Sequence, residues 1–193
     1  MAGDARWVGV ACGEDEKSEV VLRARAGDTE AFGELVEELW APLVGLARAV
    51  LAGDPEAEDV VQEALVVAWR RLPALRDPAR FPAWVRRIVA RRCLGQLRRR
   101  RLRPIPLELP AGDDRRAQRP AATNFAAATE AAIDVSRLLA ALPPRQRAVL
   151  YLTAVEGCTD REIAAMLGIL PPTVRVHRLR AARRLRSWLE GEK

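Results

Sequence analysis

Thr159-Asp160-Arg161-Glu162-Ile163-Ala164-Ala165-Met166-Leu167-Gly168-Ile169-Leu170-Pro171-Pro172-Thr173-Val174-Arg175-Val176-His177-Arg178 carries the punctuation of two helices joined by a tight corner. Thr159 and Glu162 have the spacing of a capping box, in which the threonine oxygen accepts from the amide three residues on and the glutamate reaches back. The helix they open places Ile163, Ala164 and Leu167 on its inner side. Gly168 suits the left-handed turn that ends such a helix, and Ile169 plugs the corner. Pro171-Pro172 lead into a last helix expected from Thr173 to about Leu189. Ala164 is small where two helices cross closely, and Val174 packs the second helix back on the first. This is the pattern of a helix-turn-helix, whose second helix enters a DNA major groove with its N-terminal residues first. Thr173, Arg175, His177 and Arg178 are the candidates for base edges or nearby phosphates, and Arg180 and Arg183 for the phosphate backbone.

Working outward from this segment, Ala148, Val149, Leu152 and Val155 form one helical stripe, and Val135, Leu138, Leu139 and Leu142 an earlier one stopped by Pro143-Pro144. The stretch 103–132 has four prolines, a Gly112-Asp113-Asp114 turn and an Ala/Thr run, without periodicity. Such a stretch is too long for a loop inside a compact domain and reads as a linker between two domains. Before it, Asp28 caps a helix with the stripe Phe32, Leu35, Val36, Leu39, Leu43, Leu46 and Val50, with a kink expected at Pro42. Asp54-Pro55-Glu56 restarts a helix after Gly53: a cap, a proline at the first helical position, then an acid. That helix carries Asp59, Gln62 and Glu63 opposite its apolar stripe. A third long helix from about Phe81 to Arg101 has an apolar face of Phe81, Trp84, Val85, Ile88 and Val89, a spacing that puts Phe81 and Trp84 in the core. The expected fold is all-α. Two small helical domains, 18–102 and 133–193, are joined by a flexible linker, 103–132, and preceded by a disordered tail, 1–17.

Charge is segregated along this frame. The chain has 193 residues and a formal net charge of +6. Asp28 to Glu63 holds ten acidic residues and one basic residue, whereas Pro78 to Leu107 holds ten arginines and no acid. Ile163 to Leu189 is again free of acid, with six arginines and His177. Codon bias accounts for arginine over lysine, but not for two acid-free helices in different domains, because ordinary solvated helices mix signs. Two separate contacts with a phosphate-rich partner are implied. No apolar run reaches the ~18 residues of a membrane span. Three cysteines far apart predict no disulfide framework, and a single histidine predicts no metal site. No Gly-rich phosphate loop is present, so an enzyme has no support and no cofactor is expected.

The motifs taken together resemble a bacterial RNA polymerase sigma factor of the extracytoplasmic-function (ECF) subfamily. Gly27-Asp28-Thr29-Glu30-Ala31-Phe32 resembles the family's opening motif, and Asp54 through Glu63 its polymerase-binding helix. Phe81-Pro82-Ala83-Trp84-Val85-Arg86-Arg87-Ile88-Val89 resembles the segment that reads the minus-ten promoter element. Leu142-Pro143-Pro144-Arg145-Gln146-Arg147 and the helix-turn-helix resemble region four, which reads the minus-thirty-five element. The resemblance implies that Asp59, Gln62 and Glu63 bind core RNA polymerase. It implies that Arg80, Arg86, Arg87, Arg91 and Arg98 meet minus-ten DNA, and that the 173–183 set meets the upstream duplex. It further implies a cytoplasmic monomer without membrane insertion, a non-enzymatic role and an anti-sigma factor as a further partner. The free protein is expected to be inhibited, either by such a partner or by docking of its acidic N-terminal face on the basic C-terminal domain. The sequence departs from the family pattern where Leu170 replaces the usual serine cap, and where Val176-His177-Arg178 puts Leu179 one position late. Arg91 and Gly95 replace a common asparagine and aspartate. The competing reading is a helix-turn-helix regulator whose N-terminal bundle senses a ligand or dimerises.

Overall fold

The computed structural model of the chain describes residues 14–102 and 139–191, and among these there is no β-strand. The helices are α1 (Glu14–Arg25), α2 (Thr29–Leu51), α3 (Ala57–Arg71), α4 (Phe81–Leu102), α5 (Pro144–Ala154), α6 (Asp160–Leu167) and α7 (Pro171–Gly191). Two 3-10 turns, Leu72–Ala74 and Pro78–Arg80, lead from α3 to α4. The expected tail as far as residue 13, the linker, and Val135 and Leu138 of the stripe lie outside the described residues. Glu14 to Lys17, read from the sequence as part of a disordered tail, instead open α1, where Lys17 is buried and pairs with Glu38 of α2.

The N-terminal caps follow the sequence closely. Asp28 Oδ1 accepts from the Ala31 amide at 3.0 Å and so closes the start of α2. The same carboxylate receives Arg23, and the Ala31 amide and Arg23 together hold it below the usual carboxylate range. α2 continues through Pro42 to Leu51. It stops on Ala52, whose φ of 58° is left-handed, a conformation that usually falls to glycine. The restart differs from the expected one. Asp54 accepts from the Glu56 amide at 2.9 Å, closing a local turn rather than capping the helix, and α3 begins at Ala57. Arg100, near the end of α4, reaches back to both Asp54 and Glu56 and ties the two helices together.

Helices α1 to α4 form a bundle around Leu43, Leu46, Val50, Val61, Leu72, Phe81, Val85 and Val89, all fully buried. Each such side chain stabilises the fold by ~1.5–3 kcal/mol relative to exposure. Helices α5 to α7 pack around Val149, Leu152, Ile163 and Val174. The capping box at α6 forms as read: Thr159 Oγ1 accepts from the Glu162 amide, and Glu162 Oε2 accepts from the Thr159 amide at 2.7 Å. Gly168 is left-handed, with φ 66°.

α7 starts at Pro171, two residues earlier than expected. This accounts for the absent serine cap. A helix start leaves four amide donors without partners, and two prolines remove two of them. The Thr173 and Val174 amides both donate to the Leu170 carbonyl, at 2.9 and 3.3 Å.

The two groups of helices are in contact. α5 and α6 lie against α2 and α4, and the buried apolar residues form one continuous core across both groups. Docking therefore occurs, but on a different face from the expected one. The C-terminal domain sits on α2 and the basic helix α4, while Asp59, Gln62 and Glu63 stay exposed on α3. At that face the Tyr151 hydroxyl of α5 lies over Gly45 of α2, and Arg86 of α4 pairs with Glu156.

Candidate nucleic-acid interface

Three surfaces carry the sequence-predicted residues. The first is the outward face of α3. Asp59, Gln62 and Glu63 are exposed there, one helical turn apart. Val66 continues the same stripe beyond the acids and is 50% exposed, with Arg70 exposed on the next turn. Arg92 of α4 reaches Glu63 at 3.0 Å along one edge.

The second surface is a groove of about 460 Å³ between α3 and α4. Arg71, Arg87, Arg91, Arg92 and Arg99 line it, with Trp84 and Gly95 at its floor and wall. Two of the five predicted minus-ten residues, Arg87 and Arg91, meet here. Arg71, Arg92 and Arg99 line it as well and were not singled out from the sequence. The signal for Arg99 was available, since 84, 87, 91, 95 and 99 recur near the helical period. Arg71 was hidden because it belongs to another helix. Trp84 is half-buried, packed on the core with its ring centroid 6.1 Å from that of Phe81, and it also borders the groove. Phe81 is core, as its spacing implied. Gly95 has nothing within 4 Å of where a Cβ would stand, so its absence of side chain leaves the groove open.

The other predicted minus-ten residues lie elsewhere. Arg80 is exposed on the second 3-10 turn and pairs with Asp77 at 3.0 Å. Arg98 is exposed on α4. Arg86 is turned away from the groove and bonds Glu156, after α5, at 2.7 Å.

The third surface is α7. Arg175 Nε and the Arg178 guanidinium both donate to Asp160, at 2.9 and 2.7 Å. Arg175 first, and Arg178 with it, hold the Asp160 carboxyl below its ordinary range. His177 differs from its expected base-edge role. Its ring is half-buried and Nδ1 is fully buried without a hydrogen-bond partner. Burial, with Arg145 and Arg180 nearby, holds its pKa below the usual histidine value, so the neutral ring is favoured. The cause is the helix phase: Val174 and Ala181 are fully buried, and His177 and Arg178 fall between them on the inner side. The outward side presents Arg175, Val176, Leu179, Arg180 and Arg183, all exposed, with Thr173 partly so. Val176 and Leu179 were not singled out from the sequence as contact residues.

An exposed acidic stripe, an arginine-lined groove and a basic helix-turn-helix on one small all-α chain agree with what comparison with known proteins finds. The family description "Sigma-70 region 2" matches residues 35–103, and "Sigma-70, region 4" matches residues 132–185. The ECF RNA polymerase sigma factor SigM of Mycobacterium tuberculosis is 35% identical over 182 residues, covering 92% of this chain and 87% of that protein. The sigma factor CnrH of Cupriavidus metallidurans is 29% identical, covering 93% of this chain and 97% of that protein. CnrH solved in complex with the cytosolic domain of CnrY superposes with a TM-score of 0.66 at 26% identity, over 92% of this chain and 99% of that one. The Bartonella quintana sigma factor RpoE, solved with the anti-sigma factor NepR, shares the fold with a TM-score of 0.65 at 22% identity, over 84% of this chain and 98% of that one. Among the described residues no helix is long and apolar enough to cross a membrane, and no group of side chains could hold a metal ion. The chain belongs to the ECF RNA polymerase sigma factors, which bind core RNA polymerase and direct it to specific promoters.

Proposed function

We propose a division of labour among the three surfaces. The outward stripe of α3, with Asp59, Gln62 and Glu63 running on to Val66, docks on core polymerase. An acidic stripe that ends on an exposed valine suits a basic partner, steering encounter by charge and gaining affinity as the valine is buried. The groove between α3 and α4 takes the minus-ten strand. Arg71, Arg87, Arg91, Arg92 and Arg99 neutralise phosphate there, and the edge of Trp84 offers a stacking surface for an extruded base. α7 enters the major groove of the upstream element, with Arg175, Arg180 and Arg183 on phosphate or base edges and His177 as a positioning residue behind them. The protein performs no chemistry of its own and acts in the cytoplasm. An anti-sigma factor is a natural partner, as CnrH and RpoE have been solved with CnrY and NepR.

The observation that carries this reading is the adjacency of the acidic stripe and the arginine groove along α3 and α4, so that docking one surface on polymerase presents the other to DNA. Transcription in vitro with core polymerase and a pool of promoter fragments tests it. The wild-type protein should yield run-off products. The D59K/E63K variant should lose polymerase binding, and R87A/R91A should bind polymerase but yield little product. Unchanged polymerase affinity in D59K/E63K overturns the docking assignment, and full activity of R87A/R91A overturns the groove.

A further inference from the structure

The groove between α3 and α4 has two unlike ends. Glu63 meets Arg92, and Glu56 meets Arg100 farther along α4, so the two helices run antiparallel. That register brings Val67 opposite Ile88 and Arg71 opposite Trp84, and all four line the groove. One end is therefore apolar and aromatic, with Arg71 and Arg87 exposed beside it. The other end is basic. Arg91 and Arg92 precede Gly95 there and Arg99 follows it, and no atom comes within 4 Å of where a Gly95 Cβ would stand.

The charge in this groove is uncompensated. No acidic side chain lines it. Arg92 is held by Glu63, but Arg71, Arg87, Arg91 and Arg99 have neither an ion pair nor a hydrogen-bond partner among the described residues. Arg23, Arg48 and Arg100, in contrast, each meet a carboxylate. Two departures from the family pattern also fall here. An asparagine at 91 and an aspartate at 95 would supply acceptors and a negative charge, and Arg91 and Gly95 supply neither. The volume, about 460 Å³, lies within the ~300–1,000 Å³ of small-molecule and cofactor sites.

The polar side chains around the cavity share one property. Guanidinium and indole N–H groups donate and never accept. A ligand that fits brings acceptors, an anionic part for the basic end and a flat face for Trp84. A nucleotide with a polyphosphate chain has all three. Among the bases, guanine presents two adjacent acceptors, N7 and O6, which a guanidinium takes as a pair. Adenine and cytosine present an amino donor on that edge, for which no lining side chain supplies an acceptor.

We propose that this groove is a binding site for a free guanine nucleotide. The guanine lies against Trp84 with N7 and O6 toward Arg71 and Arg87, and the polyphosphate runs past Gly95 between Arg91 and Arg99. A DNA strand offers the same chemistry of base and phosphate. Resting on the assignment of this groove to the minus-ten strand, nucleotide and strand exclude each other, and the nucleotide regulates promoter binding by competition.

Calorimetry on the full chain at one fixed, low salt concentration tests the site, with GTP, ATP and inorganic tripolyphosphate as ligands. GTP should bind at one site per chain, about tenfold more tightly than ATP. Tripolyphosphate, which cannot stack on Trp84, should bind more weakly than GTP. 7-Deaza-GTP lacks only the N7 acceptor and should lose several-fold. R91A/R99A changes two exposed positions and should weaken GTP at least about tenfold, with unchanged helicity by circular dichroism. R91N/G95D should do the same, since it removes one positive charge and sets a carboxylate on the phosphate path. From the wild-type chain, GTP should displace the share of a fluorescent single-stranded DNA oligonucleotide that R91A/R99A fails to bind. Equal affinity for GTP, ATP and tripolyphosphate, or GTP binding that survives R91A/R99A, overturns the proposal. Strand binding without GTP binding overturns the nucleotide site and upholds the minus-ten reading. GTP binding without strand binding upholds the site and counts against the minus-ten reading instead.

Discussion

Asp160 holds two of the arginines assigned to the proposed upstream contact, and D160N isolates that restraint. The carboxylate accepts from Arg175 and Arg178 at 2.9 and 2.7 Å, while those side chains remain 70% and 41% exposed. DNA phosphate therefore competes with Asp160 for both guanidinium groups. The asparagine side chain keeps the size but loses the charge, and the capping box of Thr159 and Glu162 still closes α6. Each phosphate neutralised contributes about −0.9 to the slope of log affinity against log salt. Releasing both arginines should steepen that slope by up to about 1.8, and releasing one by about 0.9. Between 0.2 M and 0.05 M salt, a fourfold change, the affinity ratio of D160N to wild type should then grow by about 12-fold, or about 3.5-fold for a single arginine. Fluorescence anisotropy of the full chain on a duplex, titrated at several salt concentrations, reads this directly. Because the Asp160 pKa is lowered, its clamp is fully charged above the ordinary carboxylate value and fails only as pH falls through the depressed one. The difference between variant and wild type should accordingly be constant from about pH 5 to 8. Identical slopes for the two proteins would show that Asp160 does not restrain Arg175 and Arg178 in solution.

Other tests address the fold and the docked state. A52G should stabilise the protein by ~0.5–1 kcal/mol in urea unfolding, because relief of a left-handed alanine, ~1–2 kcal/mol, exceeds the extra backbone entropy of glycine. G95A, in a helix interior with no neighbour near the added methyl, should raise stability by up to ~1 kcal/mol, read as an increase in Tm. Burial pushes the Cys93 thiol up to about 12 and the Cys158 thiol up to about 11. Iodoacetamide at pH 8 should spare Cys93 until global unfolding, and it should label Cys158 faster in G45A than in wild type. Burial also pushes Tyr151 up to about 12. A raised value means the docked form is favoured fully below the ordinary tyrosine value, and that advantage is lost as pH rises through about 12. Scattering should thus show unchanged compactness from pH 6 to 9 and expansion above about pH 10.

Much of this was legible from residue order. The capping box, Gly168 and the small Ala164 announced two crossing helices, and acid-free helices announced exposed arginine-rich surfaces. What stayed hidden depends on distances between segments. Nothing near Gly45 in sequence says that Tyr151, over a hundred residues away, needs its missing side chain. Arg86 and Arg87 are equivalent as letters, yet one packs against Glu156 and the other lines the groove, because 100° of helix rotation separates them. The inward turn of His177 was legible, since it stands three residues after Val174, which the sequence already placed inward, and four before Ala181. Asp54 was misplaced as a helix cap because the same residue can close a local turn, and Arg100, far down the chain, reaches it there.

The contact between Gly45 and Tyr151 rests on an absence. A Cβ at position 45 would stand 2.1 Å from the Tyr151 hydroxyl oxygen, so no side chain fits there while the tyrosine stays. Two positions more than a hundred residues apart are thereby tied: among related chains, a side chain at position 45 should accompany a smaller residue at position 151, and neither change should be met alone where the two groups of helices pack in this way.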